Sequence, residues 1–316
     1  MTQPTPNTFL IKSLAILAVL PLAILAGTAR GQIFVDNGNG IGEYNFDGTP
    51  VNAALITGLS DPRGMAICGN DLYVANPDTG TMGEYTTSGT VANATLVSGL
   101  FQPQSMAVSG NNLFVVYRSG KGFNGGAIAQ YSTSGSVVND SLLSLGVFGA
   151  ADNLAISGNN LFVANPVTGT IGAFTTSGTT INASLISGLS SPAGLAISGN
   201  NLFVANSGSG TIAEYTTSGM AINTSLISGL DNPSEIAVYG NLLYALGTDG
   251  TVGEYTTDGN TINASLFTVA DSSGFDLVVV PEPSSTALAA LGSCLLLSAF
   301  IKRAIAGKGS PIRRNG

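Results

Sequence analysis

Histidine and tryptophan are absent from the 316 residues, cysteine occurs twice, and only 9% of the chain is charged. Without histidine the chain lacks the usual general base near neutral pH and the commonest zinc ligand, so any catalysis would rest on carboxylates, hydroxyls or lysine. Nor does the sequence carry the pattern of a catalytic triad or a P-loop. Cys68 lies in a repeat region and Cys294 in a C-terminal apolar run, so disulfides do not frame the fold. Low charge with 42 glycines excludes a helical bundle, which would be rich in Ala, Leu, Glu and Lys, and points to one large all-β domain. Basic residues are scarcest of all: between 32 and 280 there are 17 Asp and Glu against Arg63, Arg118 and Lys121, a net charge of −14. Such a surface repels phosphate, which excludes nucleic acid as a partner and leaves divalent cations or neutral sugars as better fits. Solubility outside the cell is the simpler reason for the acidity.

What is present begins with the ends. Lys12 precedes the apolar run "SLAILAVLPLAILAG", and Gly27-Thr28-Ala29 supplies small residues for a signal peptidase, so 1–31 is expected to be a cleaved signal peptide. The run is shorter than the roughly 20 residues a membrane helix needs, and Pro21 interrupts it, which disfavours an anchor. At the other end Pro281-Glu282-Pro283 stands before an apolar stretch at about 286–301, followed by Lys302 and Arg303. Basic residues placed there hold the end of the stretch in the cytoplasm.

This three-part pattern resembles the PEP-CTERM sorting signal of bacterial exported proteins, a tail also known as an ice-binding protein C-terminal domain. The resemblance covers 281–316. It implies recognition of Pro281-Glu282-Pro283 by an exosortase-type membrane peptidase, a transient membrane anchor, and delivery to the cell surface, often beside exopolysaccharide. A permanent C-terminal anchor is the alternative.

Between the ends the chain repeats. "LAISGNNLFVAN" stands at 154–165 and again at 195–206. Each unit contains four short apolar segments separated by Gly, Asn and Ser turns. The first segments centre on Met65, Met106, Leu154, Leu195, Ile236 and Leu277, and the second begin at Ile33, Leu72, Leu113, Leu161, Leu202 and Leu243. The third segments end on Tyr44, Tyr85, Tyr131, Phe174, Tyr215 and Tyr255, and the fourth follow a "TTSG"-like turn in most copies. The N-terminal unit has no first segment, whereas "GFDLVVV" at 274–280 is a first segment with nothing after it. Two fragments that complete one another close a ring, which removes open sheet edges. The expectation over 32–280 is a six-bladed β-propeller of four-stranded blades, its N-terminal blade completed by the C-terminal strand.

The phrase "LAISGNNLFVANSGSGTIAEY" is similar to the NHL-like and gluconolactonase-like six-bladed propellers, over nearly all of 32–280. That resemblance implies the fold; function follows it far less closely. Those families often have Asp where this chain has Asn76, Asn165 and Asn206, and their metal site does not carry over residue by residue.

Candidate sites are sought where the repeat fails. The loop between Tyr117 and Tyr131 is five residues longer than its counterparts and holds Arg118, Lys121 and Phe123, a candidate partner loop; a tolerated insertion is the alternative. Just ahead of the first segments stand Asp152, Asn153, Glu235 and Asp276, with Gln104 as a further oxygen donor. Carboxylates and amide oxygens converging on a channel suit a hard cation such as Ca²⁺. Arg63 could instead pair with one of the acids, and solvated turn residues are the plainer reading. The triplets that start at Asn93, Asn139, Asn182, Asn223 and Asn263 have the form of glycosylation acceptors, but their fixed place in the repeat points to a local turn. The leading function is an exported cell-surface binding or scaffold protein associated with polysaccharide. A lactonase-like metal-dependent hydrolase and a structural or ice-interacting surface protein are the alternatives.

Overall fold

The computed structural model describes residues 31–118, 126–145, 153–269 and 276–280. Blade I holds β1 (Gln32–Asp36), β2 (Gly40–Asn45) and β3 (Pro50–Thr57). Blade II holds β4 (Met65–Cys68), β5 (Asp71–Asn76), β6 (Thr81–Thr86) and β7 (Val91–Ser98). Blade III holds β8 (Pro103–Ser109), β9 (Asn112–Arg118), β10 (Gly126–Ser132) and β11 (Val137–Ser144). Blade IV holds β12 (Asn153–Ser157), β13 (Asn160–Asn165), β14 (Thr170–Thr175) and β15 (Thr180–Ser187). Blade V holds β16 (Pro192–Ser198), β17 (Asn201–Asn206), β18 (Thr211–Thr216) and β19 (Ala221–Ser228). Blade VI holds β20 (Pro233–Tyr239), β21 (Leu242–Gly247), β22 (Thr251–Thr256) and β23 (Thr261–Thr268). The last strand, β24 (Leu277–Val280), returns to blade I.

That return is the expected clasp. β24 pairs antiparallel with β1, Val279 opposite Ile33 and Leu277 opposite Val35, and gives blade I its fourth strand. Leu277 is 2% exposed and packs with Ile33, Val35 and Tyr44 of blade I and Tyr244, Leu246 and Val252 of blade VI. Its burial alone is worth about 2 kcal/mol. Six apolar clusters fill the six interfaces between neighbouring blades, so the ring is a six-bladed β-propeller with its core in the seams between sheets.

Local chemistry explains the blades. In blades II to VI a two-residue Gly-Asn turn joins the first strand to the second; in blade V Ser198 pairs with Asn201 across Gly199, whose φ of +58° is the positive value that glycine supplies without strain. The second strands, such as "LFVA" at 202–205, are buried continuously because blades cover both of their faces. The fourth strands are different: the first five residues of each are exposed, and the register against the third strand slips. At each slip the asparagine of the Asn-x-Ser/Thr triplet accepts the amide two residues on, as Asn182 Oδ1 does from Ser184 N at 3.0 Å and Asn223 Oδ1 from Ser225 N at 3.1 Å. The triplets are therefore local turns within bulged outer strands, and each bulge helps keep an outer edge from pairing with another chain.

Candidate functional site

The six first strands surround a central cavity of about 280 Å³. Successive strand residues face opposite sides, so only one of the two residues ahead of each strand centre can face the channel. It is the nearer one, and the six are Gly64, Ser105, Asn153, Gly194, Glu235 and Asp276. The four with side chains line the cavity and are nearly shut off from solvent: Ser105 is 6% exposed, Asn153 9%, Glu235 6% and Asp276 7%. The two glycines are where neighbouring strands crowd together. A Cβ on Gly64 would come within 2.7 Å of Ser105 Cα, and one on Gly194 within 2.7 Å of Glu235 Cα.

The two acids are held from several blades. Glu235 accepts from Asn153 Nδ2 across the ring and from the Ile236 amide at 3.1 Å. Asp276 accepts from the Met65 amide of blade II and from the Leu277 amide at 2.7 Å. Neither acid meets a basic side chain, because no lysine or arginine lines this cavity among the described residues. Burial pushes Glu235 well above the ordinary carboxylate range, and the charge of Asp276 pushes it further. Asp276 is raised to about 8 by burial, against the lowering effect of its two amide donors, with the nearby charge of Asp36 adding to the rise. Carboxylates that are buried, close and without a counter-charge have two stable states: protonated, or bound to a cation.

Of the residues singled out from sequence, Asn153, Glu235 and Asp276 meet at this mouth, while Asp152 lies outside the described residues. Gln104 does not join them. It is consecutive with Ser105, which faces the channel, and its own side chain lies in a different pocket, where its Oε1 accepts from Arg63 at 3.2 Å. Arg63 pairs with Asp61 at 3.2 Å and not with any channel acid. Arg118 ends β9, while Lys121, Phe123, the sorting residues Pro281, Glu282, Pro283, Lys302 and Arg303, the apolar stretch 286–301 and the signal segment before residue 31 lie outside the described residues. Among the described residues no helix is long and apolar enough to cross a membrane, and no three His, Cys, Asp or Glu side chains converge as a metal cluster.

Two participants escaped sequence reasoning. Ser105 lines the cavity and is nearly buried. Asp36, 2% exposed at the end of β1, lends its charge to the site and donates its amide to the Asp276 carbonyl at 3.1 Å. Its signal was available: by strand register Asp36 stands where the other second strands have Ala75, Val116, Ala164, Ala205 and Leu246, an acid in an otherwise apolar column.

An LVIVD repeat family matches residues 148–167. No curated protein sequence matches the chain. Among solved structures, one from a nidogen/laminin complex superposes with a TM-score of 0.62 at 13% identity, covering 79% of this chain and 98% of the other. A gluconolactonase of Xanthomonas campestris superposes with a TM-score of 0.52 at 15% identity, covering 68% of this chain and 78% of the other. At these identities the likeness shows the propeller fold alone.

Proposed function

We propose that the protein is an exported binding module of the cell exterior whose channel mouth holds a hard divalent cation such as Ca²⁺. The observation that carries the cation is the pair of buried acids, Glu235 and Asp276, facing one cavity with no basic partner among the described residues. Asn153 and the Ser105 hydroxyl add neutral oxygens of the kind Ca²⁺ accepts, with water completing the shell. Two carboxylates make a weak site, so occupancy is expected at millimolar calcium, as in extracellular modules.

The exterior location rests on the two ends of the sequence. The signal-like segment supports export, and Pro281-Glu282-Pro283 followed by an apolar stretch and Lys302-Arg303 supports trimming by an exosortase-type peptidase. Mass spectrometry of the surface fraction is expected to find mature protein ending near Pro283, and peptides reaching Arg314 in that fraction would contradict the trimming. A rigid disc with a variable rim favours binding over chemistry, as does a chain with no histidine to shuttle protons. Thermal unfolding tests the cation: millimolar Ca²⁺ should raise the melting temperature of the parent, since a ligand bound only by the folded state stabilises it by mass action. The rise should vanish in Glu235→Gln with Asp276→Asn. Lactone turnover that depends on Glu235 would replace the binding module with a hydrolase.

A further inference from the structure

Both basic residues among the described residues, Arg63 and Arg118, line one small pocket between blades II and III, with Asp61, Asp78, Gln102 and Gln104 around them. Its volume is about 220 Å³. Pockets for drug-sized ligands start at roughly 300 Å³, so this one has room for a single sugar-sized group. Apart from Pro77, every side chain lining it is polar.

Arg63 is fixed in place. Its Nε and Nη2 both donate to Asp61 Oδ2 at 3.2 Å, and Nη1 donates to Gln104 Oε1 at 3.2 Å. Gln104 is anchored in turn, its Nε2 donating to the Gln102 carbonyl at 3.0 Å. A guanidinium has five N–H donors, so one remains on each terminal nitrogen, and a carboxylate can accept both through its two oxygens. Holding the fork before the ligand arrives spares the entropy of ordering it.

The corner that frames this pocket is general, but its contents are not. Asp61, Gln102, Ser191 and Asn232 all precede a proline with φ between +41° and +50°, so the same corner recurs in blades II, III, V and VI. In blades V and VI the residue matching Arg63 is Ala193 or Ser234. The two arginines balance Asp61 and Asp78, so this pocket carries no net charge on a domain of net charge −14, and it gathers both basic residues among the described residues where an anion can meet them.

We infer that this pocket binds the carboxylate of an acidic sugar, with Arg63 bridging the carboxylate and the amide and acid side chains around it taking ring hydroxyls. A peptide carboxylate fits less well, because no apolar side chain larger than proline is present to hold its side chains. The site names a ligand class for the binding-module reading, and it does not depend on a cation in the channel.

The test is a calorimetric titration of the full-length protein with trigalacturonate, its methyl ester and acetate, run with a chelator present so that the channel site makes no contribution. Trigalacturonate should bind at least tenfold more tightly than the ester or acetate. Arg63→Gln should weaken it at least tenfold at an unchanged melting temperature, and Arg63→Lys, which keeps the charge and loses the two-point bond, should weaken it nearly as much. An ester or acetate that binds equally well, an Arg63→Gln protein that binds like the parent, or no binding at all overturns the inference. If Arg63→Gln does not fold, NMR titration of the parent decides: shifts centred on the Gln102 and Gln104 amides support the site, and shifts only elsewhere overturn it.

Discussion

The outer and inner strands of these blades obey different rules. The fourth strands carry one pattern around the ring, an Asn at 52, 93, 139, 182, 223 and 263 at the same point in each, because the first five residues of every outer strand face solvent. The first strands place Gly64, Ser105, Asn153, Gly194, Glu235 and Asp276 just ahead of their central residues, six positions drawn from one column of the repeat and holding six residues of five kinds. Those six positions converge on one small space, where six acids would repel one another and six glycines would leave a hole. A position that serves its own blade repeats; a position shared by all six blades differentiates. Function is therefore to be sought at the inner rim.

The contrast can be broken most severely at the clasp. Removing Leu277–Val280 strips β1 of one of its two partners and uncovers the seam between blades I and VI, so a loss of several kcal/mol is expected in denaturant unfolding. Next is Gly194→Ala. The added methyl would meet the Glu235 backbone at 2.7 Å, a contact that rigid main chain does not relieve, and about 1–3 kcal/mol should be lost. On an outer strand, Ile181→Thr at a side chain 53% exposed should move stability by no more than about 0.5 kcal/mol.

A subtler separation comes from pH in the presence of a chelator. Glu235 and Asp276, which face Asp36, Asn153 and one another, have folded-state pKa values above the ordinary carboxylate value of about 4. The folded protein then binds these protons more tightly than the unfolded chain, so their contribution is complete below about pH 4 and is lost as the pH rises toward about 8. Chemical unfolding of the parent across that window should show the decline, and Asp276→Asn should flatten it. A small effect also belongs to the outer bulge. Asn182→Ala removes one solvent-exposed bond to the Ser184 amide, a loss of about 0.5–1 kcal/mol that thermal unfolding can resolve.

The ring was legible in the sequence because the packing problem is the same six times over: Tyr44, Tyr85, Tyr131 and Tyr255 recur because each seals an equivalent seam, and the missing first segment at one end matches the extra one at 274–280. The site was legible only in part. Glu235, Asp276 and Asn153 announced themselves as departures from the repeat. Gln104 was placed in the channel because the chain gives two adjacent polar residues and the choice between them depends on which face of β8 each occupies, and the structure gives that face to Ser105. Asp36 was hidden for a different reason: it lies in another strand and reaches the site only because closure of the ring sets β1 beside β24.

The central claim is a cation held between Glu235 and Asp276, and the most direct measurement is anomalous diffraction from a crystal soaked in Tb³⁺, an all-oxygen-liganded stand-in for Ca²⁺. The result expected is one strong peak at the channel mouth, within bonding distance of Glu235 Oε and Asp276 Oδ, that disappears when Ca²⁺ is present in excess. A channel mouth without a peak, with terbium bound only to exposed acids such as Asp249 or Asp258, would contradict it.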